Sequence, residues 1–203
     1  MINRLLVALS LVAGLIGTGF VLPASAADKL ENVPLTWKPT IAPPSRGAMN
    51  LSGIENARLQ FEPMVDRRED PALIGLNRDK IPSRRVATQE NVARFVNFHF
   101  KNLLTGVGVN LVDSGGTVIV KSVLTKYFAD EAQKYNGEVE IELTFTDTSG
   151  KVLWAYMIGG TSSRYGISYK ADNYYEVLSD SLISATLALI SNPRFRETLI
   201  AAK

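Results

Sequence analysis

The sequence predicts an α+β fold in which an antiparallel sheet of four to five strands carries two main helices packed on one face. Three observations predict it. Apolar and polar residues alternate through Ala57–Val65 and again through Glu138–Asp147, where a turn leads into a further alternating run from Val152 to Ile158. Apolar residues recur at three-and-four spacing between Thr88 and Thr105, and again after Asn173. The chain has 203 residues, 46% of them hydrophobic, which suffices for one core.

Residues 1–26 hold one base, Arg4, an apolar run from Leu5 to Leu22, and Pro23-Ala24-Ser25-Ala26. This reads as a secretory signal peptide cut after Ala26, with retention as an anchor the alternative, and it predicts a periplasmic protein in a bacterial host. The chain has no cysteine, so it is not lipidated there. Residues 27–56 form a leader with Pro34, Pro39, Pro43 and Pro44, in which Leu35, Trp37 and Ile41 alternate with polar residues as an edge strand would. A single α+β domain is expected over residues 57–203.

Within that domain, Leu59 and Phe61 alternate with Arg58, Gln60 and Glu62 to give a strand, and Pro63 confines it to a sheet edge or leaves its far end unpaired. Asp66 to Arg85 is charged and carries Pro71, Gly75 and Pro82, the composition of a long loop. The first helix shows Val92, Phe95, Val96, Leu103 and Leu104 on one face, with His99 among them and Gly106 as a left-handed stop. Val109–Val112 reads as a short strand and Asp113–Gly116 as a hairpin turn into a central strand, Thr117–Phe128. In the next strand Val139, Ile141, Leu143 and Phe145 oppose Glu138, Glu140, Glu142 and Thr144. Thr148–Lys151 turns into a strand that Gly159 and Gly160 end or bulge, with a further short strand over Tyr165–Tyr169. Asn173 and Glu176 form a capping box for the second helix, and Asn192-Pro193 stops it and opens a short terminal helix.

Composition narrows function. A formal net charge of +2 gives no broad basic face for nucleic acid. No cysteine and one histidine remove thiol catalysis and sites needing two imidazoles, so no cofactor and no metal are expected. Gly160-Thr161-Ser162-Ser163-Arg164 is not a nucleophile elbow. Two surfaces are candidates for a partner. One is the loop bearing Arg67, Arg68, Arg84 and Arg85, whose planar forks suit phosphate or carboxylate, against a bland alternative of charges paired among themselves. The other is the cluster Tyr165, Tyr169, Tyr174 and Tyr175, suited to adaptable recognition or merely to covering the sheet end. His99 reads as structural, and the Glu138, Glu140, Glu142 row as a solvated face.

The strand ending in Val65-Asp66-Arg67-Arg68, the loop reaching Ile74-Gly75, the helix closing at Gly106-Val107-Gly108 and the hairpin-rich second half resemble the YajG-like and ABC-type transport auxiliary lipoproteins of bacterial envelopes, over about residues 57–190. The resemblance implies a small periplasmic domain that serves as an accessory in envelope assembly or lipid-related transport. Members of the family it resembles commonly carry an acylated cysteine after the signal peptide, which this chain lacks. The expected function is therefore a non-catalytic accessory protein binding an envelope protein or lipid. The alternatives are a small-ligand or lipid carrier and, third, a secreted hydrolase.

Overall fold

The computed structural model of the protein describes residues 30–201. The expected signal peptide lies outside the described residues, and among these no helix is long and apolar enough to cross a membrane. Seven strands and three helices follow in the order β1 (Leu59–Phe61), β2 (Val65–Asp66), β3 (Leu73–Asn77), β4 (Arg84–Ala87), α1 (Val92–Gly106), β5 (Val118–Glu131), β6 (Lys134–Thr146), β7 (Val152–Tyr165), α2 (Ala171–Ile190) and α3 (Pro193–Ala201).

The α+β class stands, but the sheet is larger than expected and mixed. β5, β6 and β7 make an antiparallel meander, while β1, β2 and β3 line up one after another along the other side of β5, all parallel to it, and β4 closes that side against β3. Parallel pairing joins segments far apart in sequence, so no local turn announces it. Pro63 sits in the gap between β1 and β2, where no ladder amide is needed.

Several local expectations are corrected. The stretch expected as a long loop holds β3 and β4, because Ile74 and Val86 are fully buried and outweigh the charges around them. Val109–Val112 is not half of a hairpin with β5: Leu111 bridges Leu59 in parallel, and the Val112 amide donates to the Leu59 carbonyl at 2.9 Å. Gly106 is the last helical residue of α1, and the left-handed residue is Gly108, at φ 98°. β7 runs straight through Gly159 and Gly160 to Tyr165, which leaves no separate strand at 165–169. Asn173 does not cap α2, which starts at Ala171 with Lys170 at its N-cap. At α1 the cap is Asn91, whose side chain accepts from the Arg94 amide at 2.8 Å.

The period-two pattern of β6 turns Val139, Ile141, Leu143 and Phe145 toward the helices, where they join Phe100 and Leu104 of α1, Val177, Leu182 and Leu189 of α2, and Phe195 of α3 in one buried cluster. Each such side chain stabilises the fold by about 1.5–3 kcal/mol relative to exposure. α2 lies so close to the sheet that two strand positions admit only glycine. A Cβ on Gly160 would stand 2.1 Å from the Ser181 carbonyl oxygen, and one on Gly137 2.6 Å from that of Val177.

Residues 30–56 pack on this body. The Val33 amide donates to the Ala87 carbonyl and the Ala87 amide to the Leu30 carbonyl, at 2.9 and 2.7 Å, so the leader covers the outer side of β4. Further along, the amides of Lys38, Thr40 and Ile41 donate to Ser179 Oγ and Asp180 Oδ1 of α2 at 3.0, 2.7 and 3.2 Å. Lys38 also pairs with Glu176 at 3.0 Å.

Candidate functional site

The arginines of the 66–85 stretch do not form one free basic patch. Arg68 is buried: its guanidinium grips the Asp66 carboxylate at 3.0 and 2.8 Å and donates to the carbonyls of Leu73 and Pro71. Asp66 holds it because strand β2 and the turn into β3 bring both ends of the Asp-Arg-Arg run together. Arg85 donates to Asp70 at 2.7 Å and holds that carboxyl below its ordinary range. Arg67 remains in solvent, 4.0 Å from Glu142. Arg84 lies over the Tyr169 ring, its Cζ 3.7 Å from the centroid.

The tyrosines are divided too. Tyr165, at 90% exposure, projects from the end of β7. Tyr174 and Tyr175 are buried and cannot serve as a free recognition surface, since the first turn of α2 presses both rings inward. The reason for Tyr174 is Glu131, a fully buried carboxylate at the end of β5 that sequence reading passed over. Glu131 accepts from the hydroxyls of Tyr174 and Tyr135 at 2.6 and 2.7 Å and from the Tyr169 amide at 2.9 Å. Burial alone would raise the Glu131 pKa; Asn77, these hydroxyls and the amide outweigh it and hold it below the ordinary 4.5. Burial and the bond to Glu131 push the Tyr174 hydroxyl far up. Tyr169 extends the network, its hydroxyl donating to the Arg85 carbonyl at 2.9 Å and accepting from the Leu30 amide at 3.3 Å. This node ties β4, β5, β6, α2 and the leader together, and it is saturated with its own chain.

His99 is wedged among aromatic rings, stacked on Trp37 at 4.3 Å and tilted against Phe95 at 4.5 Å. Burial lowers its pKa below 6.5. No group of three or more potential metal ligands is found among the described residues.

What remains unpaired is the other edge of the sheet. The leader covers β4, whereas among the described residues β7 pairs only with β6, which leaves the amides and carbonyls on one side of a 14-residue strand without ladder partners there. Edge strands are normally guarded by prolines or free charges. From Val152 to Tyr165 the only charged residue is Arg164, and it is tied to Glu176 of α2. Apolar side chains flank the edge instead: Met157 on the open face, with Tyr156 and Leu187 on the helix side, at 50, 39 and 37% exposure. The opposite surface of β5 and β6 carries Lys126, Glu138, Glu140 and Glu142, and no helix among the described residues covers it.

No protein-family model matches the sequence, and no curated protein matches it. Solved structures do. Protein XCC0632 from Xanthomonas campestris, of the family DUF330, aligns with a TM-score of 0.56 at 10% identity, over 80% of this chain and 99% of that one. The two share a fold. A looser likeness, with a TM-score of 0.35 at 9% identity, joins 58% of this chain to 90% of lipoprotein GNA1162 from Neisseria meningitidis. At 10% identity the shared fold does not single out YajG-like proteins.

Proposed function

We propose that this chain is a non-catalytic accessory protein of the bacterial envelope, exported by residues 1–26 to the periplasm, that docks an extended segment of a partner protein along β7. The observation that carries it is the long, nearly uncharged edge of β7, flanked by apolar side chains on both faces of the sheet. Strand addition draws affinity from main-chain hydrogen bonds, each worth about 0.5–1.5 kcal/mol net, and needs no catalytic constellation. The YajG-like resemblance, with its accessory role in envelope assembly or lipid-related transport, supports the same reading. The carrier alternative fits less well, because the space between sheet and helices is filled by Tyr135, Tyr174, Phe100, Phe145 and Phe195, all fully buried.

A photoreactive residue at Met157 tests the proposal in native envelopes. One discrete protein adduct is expected from Met157, none from Lys121 on the exposed face of β5, and loss of the partner when Val152→Lys guards the edge. Absence of a Met157 adduct, or an equal yield from Lys121, would overturn the docking role.

A further inference from the structure

We propose that a cleft on the open face of the sheet, beside the β5–β6 turn, binds an acidic saccharide. Residues paired directly across neighbouring strands share a face. Three such rows lie side by side here: Phe128, Glu138 and Thr161; then Asp130, Asn136 and Ser163; then Lys134 and Tyr165. The first two rows and Lys134 line a cleft of about 750 Å³, with Arg78 closing the side toward β3. That volume falls within the usual range of small-ligand sites, roughly 300–1,000 Å³.

The chemistry of the lining selects the ligand. Sugar hydroxyls donate and accept at once, so they call for interleaved partners of both kinds. Asp130 and Glu138 accept, Arg78 and Lys126 donate, and the Asn136 amide and the Thr161 and Ser163 hydroxyls do both. The charged walls are already ordered against each other, with Arg78 Nε on Asp130 at 2.9 and 2.7 Å and Lys126 Nζ on Glu138 at 2.6 Å. Two pairs cancel, and among the described residues Lys134 is left as the one lining cation without an acid, so the ligand is expected to bring a negative charge. Phe128, half-buried in the cleft, and Tyr165 beside Lys134 supply flat apolar faces for the C–H faces of sugar rings. An acyl chain would meet charge on nearly every wall, and a bare phosphate would leave the rings and hydroxyls unused. The cleft lies on the face of the sheet, so occupancy there is independent of what pairs with the β7 edge.

Calorimetric titration of the purified protein with tetragalacturonate, maltotetraose and inorganic phosphate tests the proposal. Tetragalacturonate is expected to bind at least about tenfold tighter than the other two, as one charge-assisted contact allows. Lys134→Ala and Phe128→Ala should each weaken it by about tenfold, whereas Val152→Lys on the edge leaves it unchanged. Should Phe128→Ala melt early, Asn136→Ala on the exposed surface of β6 replaces it. Failure of tetragalacturonate to bind, equal affinity for phosphate or for maltotetraose, or indifference to Lys134→Ala would each overturn the proposal.

Discussion

Gly159 and Gly160 are neighbours in β7, and alanine at the two positions should have opposite effects. A Cβ at 160 would stand 2.1 Å from the Ser181 carbonyl oxygen and 2.2 Å from the Ala185 nitrogen, while one at 159 meets nothing within 4 Å. Both obstacles at 160 are helix backbone, which cannot swing aside as a side chain tip would. Relief requires α2 to withdraw from the sheet by about 1 Å, and a gap of that size forfeits a quarter to a half of each dispersion contact along the interface. Overpacking of this kind costs about 1–3 kcal/mol, and the upper end applies to a backbone clash. For a chain of this length about 3 kcal/mol corresponds to a fall in Tm of about 6–12 °C. Gly159→Ala loses nothing in the folded state and narrows the unfolded ensemble, so it should be neutral or stabilising by up to about 1 kcal/mol. Thermal and urea unfolding followed by circular dichroism measures both variants. Equal shifts for the two, or a Gly160→Ala protein as stable as the wild type, would refute the close helix–strand approach.

The Glu131 node and the leader clasp give two further predictions. Glu131→Gln should cost about 3 kcal/mol, because an acceptor of three hydrogen bonds becomes part donor in a dry site. The folded pKa of Glu131 is held below 4.5, so its stabilisation is present above that value and is lost as pH falls through the folded pKa; the variant should show a flatter stability profile below about pH 4.5. An unchanged acid slope would remove Glu131 from that role. Asp180→Asn should weaken the clasp at Thr40 and Ile41 by about 2 kcal/mol, read as roughly thirtyfold faster amide exchange at those two residues with α2 unaffected. Unaltered exchange there would show that the leader is held by its apolar residues alone.

What could be read from sequence follows the range of the interactions involved. The β6 alternation, the apolar stripe of α1 and the proline start of α3 are local signals, and each element formed where its pattern lies. The 147–151 turn is local as well, with the Asp147 carboxylate accepting from the amides of Ser149 and Lys151 at 2.9 and 3.0 Å. Of the expected partner residues, Tyr165 and Arg67 are exposed on the surface. Arg68 is buried on Asp66, a partner only two residues away, whereas Tyr174 and Tyr175 are buried on Glu131 and Thr36, which folding brings to them.

By itself the sequence determined α1, α3, β6 and the β6–β7 turn, with the apolar faces that must be covered, since hydrophobic periodicity is a property of neighbours along the chain. Tertiary structure alone decided that three short strands align in parallel on β5, that two glycines admit α2, and that Glu131 gathers tyrosines from three segments. The physical reason is that most of these contacts join residues tens of positions apart, as Glu131 is from Tyr169 and Tyr174, whose identity shows no pattern until folding brings them within hydrogen-bond distance. The open edge of β7 belongs to the same class: whether a strand is central or peripheral depends on where every other strand has gone.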